Sequence, residues 1–195
     1  MTETPEPAPI GFKEWAHVCD ALTEGVQTII LRKGGIHEGR GGFEFKHDAF
    51  FLFPTWFHTQ GEKLRWLPEN AQEAFPPEEE RKSVEIHGYA TLEGVWRVTD
   101  WDQVAALREF HIWTDEVVQE RFQYDEESCL HIALVKTCRL PSVWQLPYQK
   151  GYGGCRSWVN LPAEGASLIS AATPAMSDEA WKTSAQGIRD ILGNP

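Results

Sequence analysis

Apolar residues recur along this chain in two rhythms, and an element is expected to begin or end where the rhythm changes. Phe12, Trp15, Cys19 and Leu22 fall at offsets of three, seven and ten, which predicts a helix over 11–24, with Gly25 placed to close it in a left-handed cap. Gln27–Arg32 (QTIILR) is β-branched and reads as a strand. Ala49–Phe53 (AFFLF) is continuously apolar, as a strand buried on both faces must be. Between them, KGGIHEGRGGFEFKHD places five glycines in nine positions (Gly34, Gly35, Gly39, Gly41 and Gly42). So many residues free to take positive φ let the chain reverse sharply, and a hairpin-like pair of strands is expected. Pro54 has no N–H to give a ladder, so it should end the second strand, leaving an exposed corner over Thr55–Gly61.

Further along, residues 62–75 leave room for a short helix, and Phe75–Lys82 (FPPEEERK) reads as a surface loop. Val84–Val98 alternates around Gly88 and Gly94, which suits either a second hairpin or one bulged strand. Asp100 precedes Trp101, Val104, Leu107 and Phe110, with Gln103 three residues on, a capping-box start to an amphipathic helix. Thr114 opens another short helix in which Val118 and Phe122 share a face. Leu130–Leu140 alternates strongly and predicts a strand with one core face, interrupted by Lys136. A last helix is expected over Asp178–Leu192: Ser177 is its N-cap, Asp178 and Glu179 occupy its first turn, and Trp181, Ala185, Ile188 and Leu192 form its stripe. Strands and helices in this order predict an α+β fold, a mixed or antiparallel sheet with several packed helices. A single domain over 11–195 would follow a Pro- and Glu-rich disordered arm over 1–10.

Composition supports that reading. The 195 residues lie below the roughly 250–300 at which one core usually splits. Nine Trp and ten Phe supply more apolar surface than a disordered chain carries. The net charge of -11 disfavours unselective binding to phosphate backbones and anionic membrane surfaces, though a local basic patch overrides such a mean field. No stretch reaches the roughly 20 apolar residues of a membrane span, and MTETPEPAP is unlike a signal peptide, so cytoplasmic residence with no membrane partner is expected. Cys19, Cys129, Cys138 and Cys155 lie far apart without a C-x-x-C pair, which predicts reduced thiols, mostly in the core.

Four constellations carry residue types suited to chemistry. Lys33, Gly34 and Gly35 with Arg40 combine cations with glycine turns whose N–H groups can cradle an anion, although the order of a P-loop is absent and a structural double turn serves as well. Tyr152-Gly153-Gly154-Cys155-Arg156-Ser157-Trp158 leaves space beside a guanidinium fork, a hydroxyl, a thiol and an aromatic face, a mixture suited to capturing a carboxylate or phosphate. His37, His47 and His58 are possible metal ligands, but no metal-binding spacing occurs and no metal is assigned. Glu44-x-Lys46 on a strand, with Glu38 or Asp20 completing a Mg²⁺ site, would suit a nuclease; the same alternation is common as an exposed charge pair. No catalytic residue and no cofactor follow from these patterns.

At these residues the sequence resembles a bacterial family, domain of unknown function 1802. The resemblance runs through Lys13-Glu14-Trp15, Leu31-Arg32-Lys33-Gly34-Gly35-Ile36, Phe51-Leu52-Phe53-Pro54-Thr55 with His58, and Gly154-Cys155-Arg156-Ser157-Trp158. It implies an association with restriction-endonuclease-like partners, hence with DNA restriction or modification, and brings no activity. Taken together, a site for an anionic small molecule or nucleic-acid end is expected from the two Gly-rich loops near the Phe51–His58 corner. Its residues would be Lys33, Gly34, Gly35, Arg40, His47, Thr55, His58, Arg156 and Ser157. The alternatives are a Mg²⁺-dependent nuclease using Glu44 and Lys46, or a non-catalytic domain that binds a protein partner.

Overall fold

The computed structural model describes residues 9–33, 44–56, 60–69 and 80–195. Strand β1 (Ile10–Trp15) runs directly into helix α1 (Ala16–Thr23), followed by β2 (Ile29–Arg32), β3 (Ala49–Thr55) and the long β4 (Ser83–Val98). Helices α2 (Trp101–Ala106) and α3 (Asp115–Gln123) lead to β5 (Leu130–Pro147). The chain ends in β6 (Trp158–Asn160), α4 (Ala166–Ile169), β7 (Thr173–Pro174) and α5 (Asp178–Leu192). The seven strands form one mixed sheet in the order β2-β5-β4-β3-β1-β6, with β7 added to β5. Only β1 and β3 run parallel, with Phe12 opposite Leu52 and Trp15 opposite Thr55.

The sheet curls until its distant strands meet. Arg32, at the end of β2, donates from its guanidinium to the Lys13 carbonyl of β1, although β5, β4 and β3 intervene in the strand order. The same guanidinium lies over the Phe12 ring at 4.6 Å. Alternation along β3 divides its side chains between two clusters. Phe50 and Leu52 join the larger core with α1, α3 and α5, while Phe51 and Phe53 join a smaller one with Val84, Ile86, Trp144 and Tyr152. The expectation of a strand buried on both faces therefore holds.

Several expected elements differ in detail. The helix expected over 11–24 begins only at Ala16, because residues 11–15 pair with β3 and Ile10–Phe12 pair with β6; a face compatible with a helix was captured by strand partners. Gly25 does take φ +75, as a left-handed cap requires. The two early strands do not form a hairpin-like pair, since β2 pairs with β5 while β3 joins β1 and β4. Pro54 does not end β3, which continues to Thr55; pairing with β4 stops at Phe51, so the proline occupies a stretch laddered on one side. β4 is one strand with irregularities after Ile86 and Leu92, which decides between the two readings of Val84–Val98. β5 runs on past Leu140 to Pro147, and opposite His87 it carries Leu140 to Val143 as extra residues. Asp100 caps α2 by accepting from the Asp102 N–H, but Gln103 donates to the Ile191 carbonyl instead of closing a capping box. A single 3-10 turn at Gly61–Lys63 stands where residues 62–75 left room for a helix, and residues 70–75 lie outside the described residues. At the start, Ile10 belongs to the sheet, where it pairs with Asn160, and the carbonyl of Pro9 just before it accepts from Leu161 N–H.

The other helical signals correspond closely. Thr114 caps α3 through the Val117 N–H, and Ser177 caps α5 through the Ala180 N–H. Val118 and Phe122 are buried together, as are Ala185 and Ile188. All four cysteines are free; Cys19 and Cys129 are buried, Cys138 is half-buried and Cys155 is exposed.

Candidate functional site

The middle of β1 is a buried polar junction. Lys13 is only 7% exposed, so its charge must be met inside the protein. Its Nζ donates to the Gly153 carbonyl at 3.1 Å and the Gly154 carbonyl at 2.9 Å. Its own N–H donates to the Ser157 carbonyl at 2.8 Å. One β1 residue thus holds both ends of the Gly153–Ser157 turn. Next to it, buried Glu14 accepts from the Trp15 N–H and has Oε2 3.7 Å from Arg32 Nε.

That clamp fixes the polarity of the turn. No peptide bond among the described residues is cis, and in a trans peptide the C=O of one residue points opposite to the N–H of the next. With the carbonyls of Gly153 and Gly154 drawn onto Lys13, the N–H groups of Gly154 and Cys155 face away from it. Neither has a hydrogen-bond partner among the described residues. Gly154 adopts φ +78 in open space, so glycine is required there by conformation and not by crowding. Arg156 follows, exposed and without an ion-pair partner among the described residues, and Cys155 presents an exposed thiol.

Trp158 gives this cradle an aromatic wall. Its ring meets Phe12 at 4.8 Å, Phe50 at 5.4 Å and His47 at 4.8 Å, all edge-on, and its buried Nε1 has no hydrogen-bond partner among the described residues. His47 closes the Gly-rich segment that starts after Lys33, so the end of that segment and the end of the second Gly-rich loop meet at Trp158. Gly34, Gly35, Arg40, His37, Glu38 and His58 lie outside the described residues. Lys33 turns elsewhere: its ammonium donates to the carbonyls of Phe122 and Glu127 and so serves the C-terminal end of α3. Thr55 donates its hydroxyl to the Glu14 carbonyl at 2.9 Å, one residue along β1 from the Lys13 clamp. Glu44 and Lys46 are exposed in an irregular segment and not on a strand, because β3 finds its partner in β4 only from Ala49 onward. Among the described residues no cluster of His, Cys, Asp or Glu is placed to hold a metal ion, and no helix is long and apolar enough to cross a membrane.

A second, half-buried cation supports the seam. The Arg121 guanidinium lies over Trp113 at 3.8 Å and Trp15 at 5.1 Å; burial pulls its pKa down to about 10, so it remains charged. A cavity of about 900 Å³ is separate. It opens beside α1 and the end of β3, and of the expected site it borders only the neighbours of Thr55, namely Pro54 and Trp56.

The family model for the domain of unknown function 1802 (DUF1802) matches residues 11–187. The chain belongs to that family. No curated protein matches it. Among solved structures, a mutant ASCH protein from Zymomonas mobilis is similar at 11% identity and TM-score 0.50, covering 87% of this chain and 99% of that one. The unmutated ASCH protein from the same organism gives 11% identity and TM-score 0.48, covering 85% and 96%. The DUF1802 chain therefore shares the ASCH fold. In its cradle, the residues that sequence reasoning passed over are Lys13, Glu14 and Arg32. They stand in the segments that carry the family resemblance, and their physical signal was charge inside otherwise apolar stretches, at Phe12-Lys13-Glu14-Trp15 and Ile30-Leu31-Arg32.

Proposed function

We propose that this DUF1802 domain binds a phosphate-bearing ligand, a nucleotide or the end of a single-stranded nucleic acid, at the Gly153–Ser157 cradle. The observation that carries the reading is the inward clamp of two consecutive carbonyls on Lys13. It leaves the Gly154 and Cys155 N–H groups outward, next to the free Arg156 guanidinium. Oriented backbone N–H groups and a guanidinium are the donors that phosphate oxygens accept best. His47 and Trp158 beside them supply a face on which a base can stack. A local site of this kind overrides the net charge of -11, since the ligand meets the nearest donors and not the average. A nucleic-acid end also agrees with the association with DNA restriction or modification that the family resemblance implies. The nuclease alternative with Glu44 and Lys46 loses its geometric basis, because these residues do not share a strand face.

The test is fluorescence polarisation of a labelled, 5′-phosphorylated single-stranded DNA oligonucleotide over a range of salt. The intact chain binds, Arg156→Ala weakens binding roughly tenfold, and removing the 5′-phosphate weakens the intact chain to the same degree. Equal affinity of both chains, or indifference to the phosphate, overturns the assignment.

A further inference from the structure

The cavity beside α1 has a chemistry opposite to that of the cradle. Its volume of about 900 Å³ falls in the range of roughly 300–1,000 Å³ typical of small-molecule sites. Leu52 and Pro54 of β3 and Gly88 of β4 line it together with one face of α1, and the segments 66–69 and 80–83 line it as well. At Gly88 on its wall, α1 lies close against the sheet. A Cβ on Gly88 would lie 2.2 Å from Thr23 Cγ2 and 3.0 Å from Leu52 Cδ1, so only glycine lets the helix sit this close.

Two features set what the cavity accepts. Aromatic surface comes from Trp56 and Trp66, and the Trp56 ring already carries a cation: the Arg81 guanidinium lies 5.3 Å from its centroid and donates to the Trp56 carbonyl at 3.0 Å. Among the described lining residues, charge comes from Asp20, Glu24, Glu69, Glu80 and Glu85, set against Arg81 and Lys82, with His87 Nε2 3.9 Å from Glu85 Oε2. Buried His17, with Nδ1 3.7 Å from Asp20 Oδ2, adds an imidazole at the same wall. Excess carboxylate in a recess repels phosphate and concentrates cations, while an indole face attracts an ammonium through its quadrupole.

We propose that this cavity binds a small organic amine, its ammonium among the carboxylates and its flat or apolar body against Trp56 and Trp66. The inference is independent of the cradle. It is tested by isothermal titration calorimetry of the full chain with phenethylamine, 2-phenylethanol and phenylacetate, which share a body and differ in charge. Phenethylamine binds roughly tenfold more tightly than the alcohol, and phenylacetate more weakly still. Trp56→Ala lowers amine affinity roughly tenfold, and Asp20→Asn combined with Glu85→Gln removes the preference over the alcohol. Equal affinities for amine and alcohol, or no binding of any probe, overturn the proposal. Should Trp56→Ala fail to fold, the amine-to-alcohol ratio in the intact chain and in Trp66→Phe decides the matter.

Discussion

Where the second Gly-rich loop meets β6, backbone donors and a guanidinium face outward from a shallow turn, whereas beside α1 carboxylates and indoles surround a deep recess. Both regions lean on the parallel pair β1 and β3, yet the ligands proposed for them are opposite in charge. The difference lies in how each obtains its polarity. The cradle owes its character to backbone orientation, which a single buried ammonium imposes. The cavity owes its character to side chains brought together by helix packing. A backbone site depends on few residues and is erased by one substitution at its clamp; a side-chain site loses its parts gradually.

The largest effect expected is on the cavity side. Gly88→Val drives a branched side chain into Thr23 and Leu52, lifting α1 from the sheet at a cost of about 3 kcal/mol, seen as a lower urea midpoint. Amine binding should fall with it, while oligonucleotide binding by the folded fraction persists. Should both activities fall together in folded protein, the two regions are not independent.

Acid should act beneath both. His111 is buried, its Nδ1 accepts from the Trp113 N–H, and burial, followed by the nearby Arg65 charge, lowers its pKa from 6.5 to about 4. The neutral ring is the native form. Between pH 6.5 and about 4 the unfolded chain takes up a proton that native His111 refuses, so stability is full above this window and falls through it. The loss approaches about 3 kcal/mol by its lower end. Urea denaturation of the intact chain against His111→Gln, across that window, checks the slope; parallel pH dependences would remove His111 as the cause.

Smaller in stability but sharper in meaning is Lys13→Met. It leaves two carbonyls without their donor, costs about 2 kcal/mol, and should abolish the effect of a 5′-phosphate on oligonucleotide binding while leaving amine binding intact. Smallest is Gly154→Ala, which meets no atom but must hold φ +78. A destabilisation of about 1 kcal/mol in thermal unfolding, with weaker oligonucleotide binding, is expected.

Legibility in the sequence followed the range of the forces involved. Ser177, Thr114 and Asp100 announced their helices because capping is satisfied within three residues. AFFLF announced a strand buried on both faces because burial leaves no polar position in the run. The helix expected over 11–24 failed at its start because Gly11–Trp15 is decided by partners about forty and one hundred and fifty residues away, at Phe51–Thr55 and Trp158–Asn160. The cation set expected around one pocket divided for the same reason. Lys33 serves the end of α3, while Arg156 remains free at the cradle.

By itself the sequence determined the α+β character, the capped helices, the doubly buried strand and the glycine-rich loop beside Arg156, since each rests on the conformational preferences of neighbouring residues. Only the tertiary structure decided that β2 curls round to β1, that Lys13 aims the loop's peptide groups, and that the deep cavity is acidic and lies elsewhere. Those outcomes require contacts between residues far apart in the chain, and nothing local to either partner specifies which distant surface it will meet.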